Sequence, residues 1–177
     1  NIALVYRYQK DYPKALEYNL KSLEIKIPVY GENSLRVATS YNNIASLYLE
    51  QNEYTKALEY CFKSLEVKKL SQGGNTEKTE ETVCSYMTIG KALNHQGEYN
   101  KAEEYLLKAM NISKTLFGEK SLKISLSYNQ LTGVYMNRKE YTKALEYCLK
   151  CLEIQESVHG KDHSKTIETQ KRLLEIQ

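Results

Sequence analysis

Cys148 and Cys151 lie three positions apart. Such a pair binds a metal ion or exchanges electrons when it opens a helix or sits in a loop, most often beside a second pair. His159 and His163 have the i, i+4 spacing of a helical zinc pair, but Gly160 stands between them and Asp162 is the only third ligand the stretch offers. Paired carboxylates occur at Glu80-Glu81 and Glu103-Glu104. Neighbours on a helix point about 100° apart, so they do not converge on one proton. His95 stands alone beside a turn, and Cys84 has no cysteine near it. The chain contains no glycine-rich phosphate loop and no serine nucleophile motif. What these side chains can do depends on the elements that carry them.

Those elements follow from one repeated phrase. Tyr141-Thr142-Lys143-Ala144-Leu145-Glu146-Tyr147 recurs as Tyr54-Thr55-Lys56-Ala57-Leu58-Glu59-Tyr60, as Tyr12-Pro13-Lys14-Ala15-Leu16-Glu17-Tyr18 and as Tyr99-Asn100-Lys101-Ala102-Glu103-Glu104-Tyr105. The starts at 12, 54, 99 and 141 are 42, 45 and 42 positions apart. A fixed period of this size marks an array of stacked units, none of which buries its apolar face alone.

Read in order, Asn1 to Gln9 matches Asn43 to Gln51 and is the second half of a helix. A helix from Tyr12 to about Val29 follows, with apolar positions three and four apart, and Gly31 breaks it. The first complete unit begins near Ser34, turns at Gln51-Asn52-Glu53 and ends near Gly73-Gly74-Asn75. The next pair runs from about Glu77 to His95 and from Tyr99 to Phe117. The three extra residues fall in Gly74 to Glu81, expected to be a loop. A third unit runs from about Ser121 to Val158, and a last helix from Thr166 to Gln177. The expected division is one array over 1–177: a partial repeat 1–31, repeats 34–74, 75–118 and 119–160, and a partial repeat 163–177. Both ends cut through repeats, so a fragment of a longer protein is expected, with end faces open to weak self-association.

In this frame Cys148 and Cys151 lie inside a helix, at the places held by Cys61 and Ser64 and by Leu106 and Ala109. Core packing is expected of them, since free cysteine behaves as a small hydrophobe. His159 and His163 fall between repeats, where a loop is expected. No metal site, no cofactor and no catalysis is expected.

Composition narrows the class. Lys+Arg 25 against Asp+Glu 22, spread evenly, is too mild a balance for nucleic acid. No stretch approaches the roughly 18 apolar residues of a membrane span. Four cysteines without a framework fit a reducing compartment, so a cytoplasmic protein is expected. Tyrosine, at 16 with no Trp and 2 Phe, must supply the large packing rings.

The pattern resembles the tetratricopeptide repeat. Its longer period, with Tyr41-Asn42-Asn43-Ile44-Ala45 and Gly160-Lys161-Asp162-His163, is similar to the kinesin light chain and nephrocystin-type subgroup. The resemblance covers essentially the whole chain. It implies an all-α fold, a right-handed α-α superhelix of antiparallel helix pairs. It also implies small residues where paired helices cross: Ala3, Ala15 and Ser22; Ala45, Ala57 and Ser64; Gly90, Ala102 and Ala109; Thr132, Ala144 and Cys151. Thr132 is the exception in size. Tyr6, Tyr48 and Tyr135 match the family's tyrosine near the end of the first helix, and Leu93 replaces it once. The proline closing the 34-residue form is missing from every unit.

In such a superhelix the first helix of each pair lines a concave groove. Carried over residue by residue, the resemblance puts these on its wall: Asn1, Leu4, Arg7 and Tyr8; Thr39, Asn42, Asn43, Ser46 and Glu50; Met87, Thr88, Lys91, Asn94 and His95; Asn129, Gln130, Gly133 and Asn137; Lys171 and Arg172. The kinesin light chain family holds cargo peptides through asparagines there, which implies that role for Asn1, Asn42, Asn43, Asn129 and Gln130. An amide offers donor and acceptor together and suits an extended backbone of any sequence. The alternative is that these amides bond to the next helix or to water. Met87 and Thr88 interrupt the ladder. Arg7, Lys91, Lys171 and Arg172 make the wall mildly basic, favouring an acidic peptide or a free carboxylate, and Gly133 leaves room in it. The expected function is a non-catalytic protein–protein interaction scaffold or adaptor holding a protein or extended peptide, with no nucleic acid or membrane partner. The alternatives are a regulatory array serving a catalytic domain outside this chain, and a self-assembling structural module.

Overall fold

The computed structural model describes residues 2–71 and 78–176. Among them are nine α-helices and no strand: α1 (Ile2–Tyr8), α2 (Tyr12–Tyr30), α3 (Leu35–Glu50), α4 (Tyr54–Ser71), α5 (Glu80–His95), α6 (Tyr99–Phe117), α7 (Leu122–Asn137), α8 (Tyr141–His159) and α9 (Ser164–Ile176). The repeated phrase opens each of α2, α4, α6 and α8.

Local chemistry sets the ends. Asp11 caps α2 by accepting from the Lys14 N–H at 3.3 Å. Pro13 stands in the first turn, where no N–H is needed. Ser34 and Thr79 cap α3 and α5 at 3.3 and 3.2 Å. The turn inside each pair needs one left-handed residue, and glycine supplies it only at Gly97; Lys10, Asn52 and Lys139 adopt φ of 60°, 61° and 62°.

Two boundaries differ from expectation. α9 opens at Ser164, two residues early, because the His163 carbonyl accepts from the Ile167 N–H at 3.0 Å and starts the helix there. Residues 74–77 of the expected loop insertion lie outside the described residues. Its last two members, Glu80 and Glu81, are helical, favoured by the Thr79 cap and by carboxylates in a first turn.

Helices pack in chain order, with α3 on α4, α5 on α6 and α7 on α8 as the tightest pairs. The odd helices α3, α5 and α7 also touch one another directly, whereas the even ones do not close up in the same way. The odd layer is therefore the inner side of the curved stack. The crossings carry the expected small residues. Ala15, Ala45, Ala57, Ala102, Ala109 and Ala144 are all fully buried. Thr132 is buried too, and its hydroxyl is satisfied by the Tyr128 carbonyl at 2.9 Å. At Gly90 a Cβ would stand 2.5 Å from Leu106 Cγ, so glycine is a packing requirement there.

Tyrosine does the expected aromatic packing. Tyr6 stacks on Tyr18, Tyr48 on Tyr60 and Tyr135 on Tyr147, with ring centroids 5.4, 5.5 and 5.4 Å apart. Lys14, Lys56 and Lys143 lie over the first ring of each pair. Tyr60, Tyr105 and Tyr147 also pack against Tyr41, Tyr86 and Tyr128 at 5.9, 5.6 and 5.7 Å, so where Leu93 replaces the stacked ring this second contact remains. No helix among the described residues is long and apolar enough to cross a membrane.

Candidate functional site

The polar side chains on the odd helices divide into two groups. The first closes the seam between neighbouring helices. Arg7 on α1 pairs with Glu50 on α3 at 2.6 Å. Asn42 Oδ1 on α3 accepts from Ser85 Oγ on α5 at 2.8 Å, and its Nδ2 donates to the Glu81 carbonyl at 3.3 Å. Lys123 on α7 pairs with Glu80 on α5. Asn137 Nδ2 donates to Asn94 Oδ1 at 3.0 Å. Arg172 on α9 donates to Asn129 Oδ1. Each of these side-chain pairs spans 43 positions, one more than the 42-residue period except for Asn42 with Ser85, which crosses the 45-residue step.

The second group makes no such joint. Asn43 and Lys91 are exposed, Ser46 and Gln130 half-buried. None of the four bonds through its side chain to another described residue. Thr88 Oγ1 donates to the Cys84 carbonyl of its own helix at 3.0 Å. Asn1 lies outside the described residues.

Lys91, Asn129, Gln130 and Arg172 surround one cavity of ≈ 340 Å³ between α5, α7 and α9, with Glu168 at its edge. Gly133 opens it, since a Cβ there would meet only Asn94 Nδ2 at 3.8 Å. Gln130 Oε1 is buried and receives no hydrogen bond from a described residue. Arg7 lines a separate hollow of ≈ 440 Å³ with Leu4, Tyr8 and Glu50. Asn42, Asn43, Ser46 and Thr88 line neither.

The groove's positive charge is mostly answered from within. Arg7 has Glu50, Lys123 has Glu80, and Arg172 has Asn129 with Glu168 at 4.0 Å. Lys91 and Lys171 are its exposed cations without an ion pair among the described residues.

Sequence reasoning missed Lys68. This lysine is 4% exposed, and its Nζ donates to Ser85 Oγ at 3.2 Å, beneath the Asn42 joint. Burial draws its pKa down to about 8, with the Glu81 carboxylate opposing the shift. A signal existed: Lys26, 42 positions earlier, donates to Ser40 at 2.8 Å in the same way.

The thiols pack. Cys151 Sγ donates to the Ser125 carbonyl at 3.2 Å, as Ser64 Oγ donates to the Ala38 carbonyl at 2.8 Å, both across 26 positions. Cys148 Sγ points at the Thr169 carbonyl, 3.7 Å away. Burial pushes Cys61 up to about 12 and Cys151 up to about 11. His159 and His163 stack face to face, with ring centroids 4.2 Å apart, and His163 Nδ1 accepts from the Lys165 N–H. Among the described residues they belong to no group of three or more His, Cys, Asp or Glu able to hold a metal ion. His95 stacks on Tyr54 with centroids 4.7 Å apart.

Comparison with known proteins agrees with this architecture. Sequence profiles of the tetratricopeptide repeat match residues 1–69, 85–122 and 125–164. No curated protein sequence matches significantly. Among solved structures, BtubC (BKLC) from P. vanneervenii is similar with a TM-score of 0.83 and 19% identity over 98% of this chain and 68% of its own. The nearly identical TPR-like repeats of a Podosopora anserina kinesin light chain-type protein give a TM-score of 0.79 and 15% identity over 99% of this chain and 82% of that one. The apo form of RapI gives 0.79 and 22% identity over 98% and 60%. At these identities the likeness is one of fold.

Proposed function

Because this chain belongs to the tetratricopeptide-repeat family, we propose that it is a non-enzymatic scaffold or adaptor whose concave groove holds a protein partner through an extended segment. One observation carries the reading. The inner helices present polar side chains that bond to no other described residue, Asn43, Lys91 and Gln130, and two of them line the cavity that Gly133 opens. Gln130 has a buried Oε1 that no described residue satisfies, while Asn43 and Lys91 are exposed on the same layer of helices and free to meet a ligand. The preference for an acidic partner rests on Lys91 and Lys171, since the remaining cations of the wall are neutralised from within. The four free thiols favour a reducing compartment, the cytoplasm.

The test is capture of partners from source-cell lysate by this chain and by Gly133→Arg, which projects a long side chain into the cavity without touching the core. Circular dichroism checks that the variant is folded. Partners retained by the native chain and lost by the variant support the groove. An identical set with both places binding on another face.

A further inference from the structure

The connection from α8 to α9 differs from its counterparts in the chemistry of two side chains. His163 precedes α9 where Ser34, Thr79 and Ser121 precede α3, α5 and α7, each a full period from the last. Ser34 and Thr79 cap their helices through hydroxyls. His163 caps α9 through an imidazole: its Nδ1 accepts from the Lys165 N–H at 3.3 Å, and its carbonyl accepts from the Ile167 N–H at 3.0 Å. His159 ends α8 where Tyr30 and Phe117 end α2 and α6. Those two rings carry a cation from the first turn of the next helix, Arg36 over Tyr30 at 4.4 Å and Lys123 over Phe117 at 6.0 Å. Lys165 stands at the matching place in α9.

The His159 and His163 rings stack with centroids 4.2 Å apart and planes 13° apart. This arrangement suits neutral rings. A proton added to His163 goes to Nδ1, the nitrogen that accepts from Lys165, and so removes the cap. It also sets a positive charge at the positive end of the α9 dipole. A proton on His159 sets a second cation face to face with the first. Neither imidazole pairs with a described carboxylate. The other titratable groups of this junction are Cys148 and Glu156 on α8, Lys161 and Asp162 in the connection, and Lys165 and Glu168 on α9. Glu156 accepts from Gln170 at 3.2 Å, and Cys148 points at the Thr169 carbonyl. Carboxylates, amines and buried thiols ordinarily keep their charge between pH 7.5 and 5.5, whereas histidine changes its own. His95, the third histidine of the chain, lines the cavity that Glu168 and Arg172 also line.

We infer that the His159–His163 stack is a proton-sensitive latch that docks α9 when neutral and releases it when charged. The released segment takes up protons that the docked one resists, so docking weakens as pH falls. Release withdraws Arg172 from Asn129 and takes away the α9 side of the cavity between α5, α7 and α9. The latch acts on the fold and is independent of what the groove binds.

Hydrogen–deuterium exchange of the whole chain at pH 7.5 and 5.5, read by mass spectrometry, tests it. Rates are corrected for the intrinsic effect of pH on exchange, and α2 and α3 serve as the internal reference. The amides of α9 are expected to lose protection by about tenfold at pH 5.5, the worth of a lost cap together with an adverse charge at a helix start. Those of α2 and α3 are expected to hold theirs. A double variant, His159→Phe with His163→Ser, carries the residue types found at the matching places of the preceding repeat. It is expected to keep α9 equally protected at both pH values, and each single variant to show a smaller loss than the native chain. The inference is overturned if native α9 is equally protected at both pH values, or is already unprotected at pH 7.5. It is also overturned if the double variant keeps the native loss, which would assign the effect to His95. Should the double variant fail to dock α9 at all, an undiminished loss in both single variants overturns it.

Discussion

Ser85 Oγ lies 2.8 Å from Asn42 Oδ1 across the α3–α5 junction, and Lys68 Nζ reaches the same hydroxyl at 3.2 Å. A lysine from an outer helix and an amide from an inner one meet on a single serine. The amide that a ligand would be expected to use is part of a joint.

Removing that joint has a measurable cost. Asn42→Ala withdraws two side-chain hydrogen bonds at a half-buried junction, and a loss of about 1–2 kcal/mol is expected. Asn43→Ala, exposed and unbonded, is expected to stay within about 0.5 kcal/mol of the native chain. Urea unfolding of the two variants decides it. Equal midpoints would mean that the joint contributes nothing.

Lys68 predicts the direction of a pH effect. Its folded pKa of about 8 lies below the ordinary lysine value, so the unfolded chain holds more protons between about 8 and 10.5. The contribution of Lys68 to stability therefore rises with pH through that window, and below it the burial penalty is fully present. The full shift corresponds to roughly 3 kcal/mol. The measurement is the stability difference between the native chain and a Lys68 variant between about pH 7.5 and 9.5, in which the contributions of the other groups cancel. From about pH 8.5 the thiols with raised folded values, Cys61, Cys84, Cys148 and Cys151, ionise first in the unfolded chain and pull stability down, and Tyr60 and Tyr135 follow above about pH 10. Lys68→Met is expected to raise the urea midpoint at pH 7, by a margin that shrinks as pH rises through about 8 to 9.5, since it replaces a buried charge by an apolar side chain of similar length. A variant less stable than the native chain at pH 7 would show that the ammonium is well solvated in place.

Two helical glycines are expected to respond oppositely to the same substitution. Gly90→Ala gains helix propensity but drives its Cβ into Leu106 Cγ and Cδ2 at 2.5 and 2.6 Å, and a net loss of about 1–2 kcal/mol is expected. Gly133→Ala meets nothing closer than 3.8 Å and is expected to gain about 0.5–1 kcal/mol. Thermal or urea unfolding of the pair checks both signs at once.

Thiol labelling tests the packing of the cysteines. Brief iodoacetamide treatment at pH 8 is expected to modify Cys84, which is exposed, while Cys61, Cys148 and Cys151 react only after denaturation. Burial removes both access and thiolate from those three. Rapid labelling of Cys148 and Cys151 in the native protein, read by peptide mass spectrometry, would reopen their case as a functional thiol pair.

The period of 42, the phrase that starts each even helix and the small residues at the crossings were all legible in the sequence. They follow from local rules that hold wherever two helices must cross closely, so every unit states them again. That the first helices of successive pairs pack into one layer was legible too. Which of two adjacent amides turns to the neighbouring helix and which to the groove was not. Asn42 and Asn43 differ by about 100° around one helix, and the choice between them depends on how far each repeat is rotated on the last. That rotation appears as the 43-residue spacing of Arg7 with Glu50, Asn94 with Asn137 and Asn129 with Arg172. Lys68 was hidden for the same reason: a lysine reads as solvated until the stacking of α4 on α5 encloses it. Composition and spacing determine a repeat and its faces. Contacts between repeats arise only when the units are stacked, because the angle of stacking is a property of many packed side chains together and of no single residue's type.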